Sequence, residues 1–248
     1  MTTKIIYSRV EIDSAFDATT WQKKIFNELA TNFRSRSRLF PCTFGVAGFE
    51  ADQLRFAFSE NMDPGEVSAA LKCYLKDAKS FGKNTSLLVL SRPGPIQSLE
   101  HYRARFWSTL DGIHQTDDTE WPETIPAQID SAGWEWCFGG EQIFVVCNTP
   151  AHVNRQSRRF SSFMLTFQPR WVFNGILDTR ETAEKATSKI RSRILQYDLI
   201  NPSQDLGLYG DPDNREFAQY FLDDENRAAT CPFHSFTKKN QNEEEKVA

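Results

Sequence analysis

The sequence predicts an α+β domain in which a mainly antiparallel sheet is covered by helices. Three observations carry that expectation. Several segments repeat apolar residues every three or four positions, the mark of a helix with one buried face. Others alternate apolar and polar residues, and two of them flank the pair Gly139-Gly140, as the arms of a hairpin would. The two kinds are interspersed without a regular βαβ rhythm, which argues against a doubly wound parallel sheet. The 248 residues are enough to bury a core without disulfide or metal staples. No repeat or interior linker is visible, so a single domain over residues 1–236 is expected. It is followed by a charged tail, 237–248, too polar to pack.

In chain order, residues 20–34 carry Trp21, Ile25, Leu29 and Phe33 at a spacing of four and read as a helix. FPCTFGVAGFE, 40–50, holds two glycines and a proline and reads as a loop. Residues 53–59 alternate, with Leu54, Phe56 and Phe58 on one side and Arg55 and Ala57 on the other, as in a strand with one buried face. Residues 62–82 give the clearest helix. Asp63 caps it, Pro64 opens the first turn, Glu66 is expected to close a capping box, and Gly82 ends it. Its stripe is Val67, Ala70, Leu71, Tyr74, Leu75 and Ala78.

SLLVLS, 86–91, is a short apolar strand, and 98–113 is a helix with Leu99, Tyr102, Phe106, Leu110 and Ile113 on one face. A loop rich in acids and prolines follows. Then Trp134, Trp136 and Phe138 alternate into Gly139-Gly140, and residues 141–147 return as the second arm. Residues 160–167 alternate again. Residues 178–200 form a helix with Asp178 as cap and Glu181 as box partner, and Ala183, Ala186, Ile190, Ile194 and Tyr197 as its stripe. A short helix is expected over 214–222.

Composition excludes several classes. The net charge of −4 and the lack of a basic stripe disfavour nucleic acid as a partner. No apolar run reaches membrane-spanning length, and MTTKIIYSRVEIDS lacks the apolar core of a signal peptide, so a cytoplasmic protein is expected. The five cysteines are widely spaced with no CxxC, which disfavours a zinc ribbon and suits thiols in a reducing compartment. GxGxxG, P-loop, HExxH and GxSxG motifs are absent. The aromatic share of 13% is high enough to line a pocket as well as fill a core.

The stretch VVCNTPAHVNRQSRRF, 145–160, carries the candidate chemistry. His152 follows a buried strand and a proline, at the mouth of the expected sheet. The bland reading is a loop histidine bonded to backbone. The functional one is metal ligation: one histidine cannot build a zinc site, but it suffices for haem, whose other equatorial ligands come from the porphyrin. His101 lies on the polar side of its helix, His114 at a helix end and His234 next to the tail, so each has an ordinary surface or capping reading. Arg155, Arg158 and Arg159, with Arg170 in QPRW, form either a solvated charged loop or a carboxylate-binding cluster suited to haem propionates. Cys42 in FPC and Cys231 in CPF read as buried small hydrophobes in preference to haem thiolates, because no cation is evident beside either.

Six segments taken in order carry a family resemblance: FPCTFGVAGF with LRFAF, WEWCFGGEQIFVVCNTPAH with RQSRRF, LTFQPRWVF, IRSRILQYD, LGLYGDPDNREFAQYFL and CPF. Together they span about residues 20 to 234 and resemble the YqcI/YcgG family. Members with an assigned role look like haem-dependent N-oxygenases that hydroxylate a guanidino nitrogen of arginine or an arginine-like compound. The resemblance therefore implies haem b, a small cationic substrate and an electron donor that the sequence does not identify. On this reading His152 is the expected iron ligand, a choice that rests on chemistry and position. Arg155, Arg158 or Arg170 would hold the propionates. Glu135 and Glu141, beside the hairpin turn, are the expected carboxylates for the substrate, against the plainer reading of exposed hairpin acids. The alternatives are a haem-binding sensor or carrier without turnover, and a structural protein that kept the fold alone.

Overall fold

The computed structural model describes residues 4–176, 178–227 and 229. Cys231, His234 and the tail expected from 237 onward lie outside the described residues. The first helix, α1 (Arg9–Ala15), was not legible in the sequence pattern; Ser8 and Glu11 close a capping box at its start. Then come α2 (Trp21–Arg34), α3 (Thr43–Glu50), β1 (Arg55–Ser59), α4 (Pro64–Phe81), β2 (Leu87–Ser91) and α5 (Leu99–Gln115). The hairpin β3 (Cys137–Phe138) and β4 (Glu141–Asn148), then β5 (Met164–Pro169), α6 (Arg180–Tyr197) and α7 (Glu216–Tyr220), complete the chain order.

The five strands form one sheet in the order β1-β2-β5-β4-β3. β1 and β2 are parallel, joined by α4 as the crossover, and every other pairing is antiparallel. This is the expected α+β architecture with one parallel pair in an otherwise antiparallel sheet. Successive side chains point to opposite faces, and the two faces are packed differently. Ala57, Leu87, Val89, Val145, Leu165 and Phe167 pack with α4, α5 and α7 in the larger core. Phe56, Leu88, Leu90 and Met164 pack with α1, α2 and α3 in the smaller. β2 is thus buried throughout, as a strand covered on both faces must be. Phe58 is only partly buried while Ala57 is buried, so β1 is covered on both faces and not on one.

Two readings of the sequence need correction. The stretch 40–50 is not a loop. Residues Thr43–Glu50 are helical, with Cys42 as N-cap. Its glycines serve close packing and do not break the chain: a Cβ on Gly48 would lie 2.2 Å from the backbone oxygen of Asn84. Gly48→Ala is therefore expected to cost about 2 kcal/mol through overpacking, read as a lower urea midpoint; an unchanged midpoint would contradict the close approach. The caps also differ in detail. Glu66 accepts a hydrogen bond from Ser59 Oγ at 2.5 Å instead of closing the box, and Ser59 Oγ accepts from the Asp63 N–H. On α6 the cap is Thr179, boxed with Thr182, while Asp178 accepts from the Gly175 N–H.

On the second face of the sheet the α1–α3 layer does not reach across β4 and β5. There Phe144, Val146 and Asn148 of β4 and Met164, Thr166 and Gln168 of β5 line a cleft. Ala186, Ile190 and Ile194 of α6 line it from another side. Two of the stripe residues of α6, Ala186 and Ile190, are accordingly only partly buried. Among the described residues, no helix is long and apolar enough to cross a membrane.

Candidate functional site

The cleft has a volume of about 300 Å³, at the lower end of the roughly 300 to 1,000 Å³ typical of small-molecule sites. Its apolar wall includes Phe33, Phe40, Phe44, Phe144 and Phe173. Two polar features break that wall, and long-range contacts assemble both.

The first is a buried cluster of two acids around one guanidinium. Glu135, wholly buried, accepts from Arg170 Nε at 2.7 Å and from Nη2 at 2.5 Å, a bidentate pairing. Glu216, on the first turn of α7, accepts from the same Arg170 Nη2 at 2.6 Å. Arg170 also stacks on Tyr209, its Cζ 3.8 Å from the ring centroid. Tyr209 donates to the Gly133 carbonyl at 2.8 Å, which fixes the ring. Asn214 and Gln219 donate to the second oxygen of Glu216 at 3.1 and 3.3 Å. α7 is seated by Tyr220, whose hydroxyl accepts from the Trp136 N–H and donates to the Ile143 carbonyl. Arg170, Glu216, Tyr209 and Gln219 all line the cleft.

With both acids ionised this cluster carries one negative charge in excess. Burial, opposed by Arg170, pushes Glu135 up to about 7, and burial raises Glu216 as well. Burial works against the Arg170 cation, but the two carboxylates outweigh it and hold Arg170 above its ordinary range.

The second feature is a thiol with a buried cation nearby, one N–H of which has no partner among the described residues. Cys42 Sγ accepts the Gly45 N–H at 3.3 Å at the start of α3. Arg158 is 8% exposed and donates Nη2 to the Gln219 carbonyl at 3.2 Å. Its Nη1 is buried with no hydrogen-bond partner among the described residues. Burial, then the neighbouring Arg155, lowers Arg158 to about 10, so it remains a cation at neutral pH.

His152 does not face the cleft. It is fully buried, with Nδ1 accepting from Thr149 Oγ1 at 2.9 Å and Nε2 donating to the Leu222 carbonyl at 3.0 Å. Burial lowers it to about 4, so the ring is neutral. Arg155 lines the cleft but is tied to the segment after α7: Nε donates to the Asp223 carbonyl at 2.7 Å and Nη2 to Asn226. The Asp224 carboxylate accepts the backbone N–H groups of Val153, Asn154 and Arg155. His152, Arg155 and Asp224 thus clasp the 149–159 loop to residues 222–226. Arg159 donates to the His152 carbonyl at 2.9 Å. Glu141 sits at the hairpin, paired with Phe138, outside the cleft lining.

The structure therefore brings Glu135 and Arg170 together, with Arg158 on the same wall, and leaves His152 and Glu141 apart from it. Sequence reasoning missed Glu216, Tyr209 and Gln219. One available signal was Glu135 itself, an acid between two tryptophans in an alternating apolar run just before β3, which demands a cation partner once buried.

The profile of the YqcI/YcgG family matches residues 26–234. YcgG of Bacillus subtilis (strain 168), named an uncharacterized protein, is 41% identical over 222 residues, covering 86% of this chain and 88% of its own. YqcI of the same strain, also named uncharacterized, is 40% identical with 86% and 87% covered. A Streptomyces lavendulae protein named "Putative N(omega)-hydroxy-L-arginine synthase DcsA" is 32% identical over 229 residues, covering 88% of this chain and 85% of its own. No solved structure matches.

Proposed function

This chain belongs to the YqcI/YcgG family, and from that premise we propose that it hydroxylates a guanidino nitrogen of arginine or an arginine-like small molecule, using O₂, an external electron donor and haem b. The printed name of the Streptomyces relative supports the reaction class. The observation that carries the substrate class is the surplus carboxylate on the cleft wall, two buried acids for one guanidinium. A buried carboxylate without a full counter-charge favours any cation that reaches it. The pairing of Arg170 with both acids supports a guanidinium as the cation that this wall receives. A second guanidinium, that of the substrate, neutralises the remaining charge. Glu216, which lines the cleft where Glu135 does not, is the acid positioned to receive it.

The residues present also suit haem. The phenylalanine-rich wall offers a flat apolar ligand a dry surface, and the unpaired Nη1 of Arg158 offers a propionate a charge-assisted hydrogen bond. Among the described residues no group of three His, Cys, Asp or Glu side chains converges to hold a bare metal ion. Haem, when bound, supplies O₂ binding and electron transfer at its iron. The chain's own residues bind, orient and exclude water: Glu216 holds the guanidinium, the phenylalanine wall keeps water out, and Arg158 compensates a carboxylate.

The test is aerobic and anaerobic incubation of haem-loaded protein with arginine and a reductant, read by mass spectrometry. The expected result is O₂-dependent gain of one oxygen by arginine. Lysine, a point charge without the planar fork, is expected to react at least tenfold more slowly. Haem-bound protein that consumes O₂ yet oxygenates neither arginine nor a close guanidino analogue would leave the non-catalytic haem-binding reading in its place.

A further inference from the structure

Resting on the haem reading above, we infer that Cys42 supplies the axial sulfur ligand to the haem iron. Three independent features converge on that atom. Cys42 lines the cleft and remains partly accessible from it. Its sulfur accepts the Gly45 N–H at the first turn of α3, where helix N–H groups favour negative charge. And the cleft holds Arg158, more than nine-tenths buried, with an N–H that has no partner among the described residues. Arg158 and Arg193 are near enough for their charges to favour the Cys42 thiolate. The cation that is missing from the neighbourhood of Cys42 in sequence is thus present in space, brought by the turn between β4 and β5 that lines the same cleft.

Without metal the thiol stays protonated, because burial raises it more than the N–H groups and arginines lower it. On ligation the S–H proton leaves to solvent, and the sulfur bonds to ferric iron in place of a water; no electron is transferred. The metal, and not the protein field alone, then stabilises the thiolate. A hydrogen bond from Gly45 to the bound sulfur tunes the iron, as outer partners of metal ligands generally do. Gly45 adjoins the sulfur closely: a Cβ there would lie 3.4 Å from Sγ, in van der Waals contact with it. The clasped His152, whose two ring nitrogens are both hydrogen-bonded inside the protein, would have to break its clasp to reach iron.

The experiment uses the full chain loaded with haemin, reduced and exposed to CO, with readout by absorption and, in the ferric state, by electron paramagnetic resonance. Wild type and Cys231→Ser are expected to show the long-wavelength Soret band of a thiolate opposite CO, and Cys42→Ser is expected to lose it. Serine is the better N-cap, so α3 keeps its start in that variant. If Cys42→Ser does not fold, Gly45→Ala provides the second reading, with a shifted band and altered ferric g-values. A haem-loaded wild type with the shorter-wavelength CO band of imidazole overturns the assignment and leaves the haem reading standing. Retention of the long-wavelength band in Cys42→Ser, or its loss in Cys231→Ser, overturns it too. A wild type that takes up no haem overturns the functional reading on which it rests.

Discussion

Arg170→Met is expected to destabilise the protein by about 3 to 5 kcal/mol at neutral pH, the range for removing one partner of a buried ionic cluster. The substitution strands the wholly buried Glu135 and the nearly buried Glu216, for which Arg170 is the one direct ion-pair partner among the described residues. Methionine fills the space beside Tyr209, so the loss is electrostatic more than steric. The penalty should shrink as the pH is lowered, since a protonated carboxyl needs no cation. Adding Glu135→Gln and Glu216→Gln to Arg170→Met should restore most of the stability, because it removes the charges that have lost their partner. Urea denaturation of wild type, the single variant and the triple variant provides the measurement. A loss under 1 kcal/mol for the single variant would mean that water reaches the acids and that they are not the dry cluster described.

His152→Leu is expected to cost about 3 kcal/mol at pH 7. It leaves the Leu222 carbonyl and the Thr149 hydroxyl without their buried partner, at about 1 to 3 kcal/mol each. The cost should also depend on pH, with a sign that follows from the ring's environment. Folded His152 titrates at about 4 against an ordinary 6.5, so between those values the unfolded chain binds the extra proton. The stability this histidine contributes is present above pH 6.5 and lost as the pH falls through about 4. A gap of about 2.5 pH units, at about 1.4 kcal/mol per unit, amounts to about 3 kcal/mol. Leucine cannot titrate, so the stability curves of wild type and variant should converge on acidification. The raised Glu135 runs the other way, its penalty growing as the pH rises from 4.5 through about 7, but it is common to both proteins and cancels in the difference. Parallel curves from pH 7 to pH 4 would show that the ring is not held neutral.

The elements were legible in sequence where a single physical signal ran through contiguous residues. α4 and α5 announced themselves by an apolar stripe and an N-cap, and the β3–β4 hairpin by alternation around two glycines. The stretch 40–50 was misread because glycine is both a chain breaker and the residue that permits close approach, and only the position of the Asn84 carbonyl separates the two uses at Gly48. The site was less legible, for a different reason. Its parts are drawn from chain positions far apart: Cys42 with Arg158, and Glu135 with Arg170 and Glu216. No local pattern links them. Glu135 and Arg170 were each singled out, but as a substrate acid and a propionate partner, because neither carries a mark that names the other. His152 drew notice for a position at the end of a buried strand that proves to be real, and the environment there engages both of its nitrogens.

The clasp formed by His152, Arg155 and Asp224 bears on when the site comes into being. The five strands found among the described residues are all encoded by residue 169, so the sheet and most of its helical cover can form on a nascent chain emerging from the ribosome. The wall of the cleft cannot. Glu216 and Gln219 arrive some fifty residues after the last strand, and the 149–159 loop has no anchor until Leu222 to Asn226 have been made. A ribosome-stalled chain ending before residue 216 would carry the sheet with Arg170 facing Glu135 alone, and so without the surplus charge. The second acid of the cluster around Arg170 is thus supplied only late in synthesis, once the residues that follow α6 have been made.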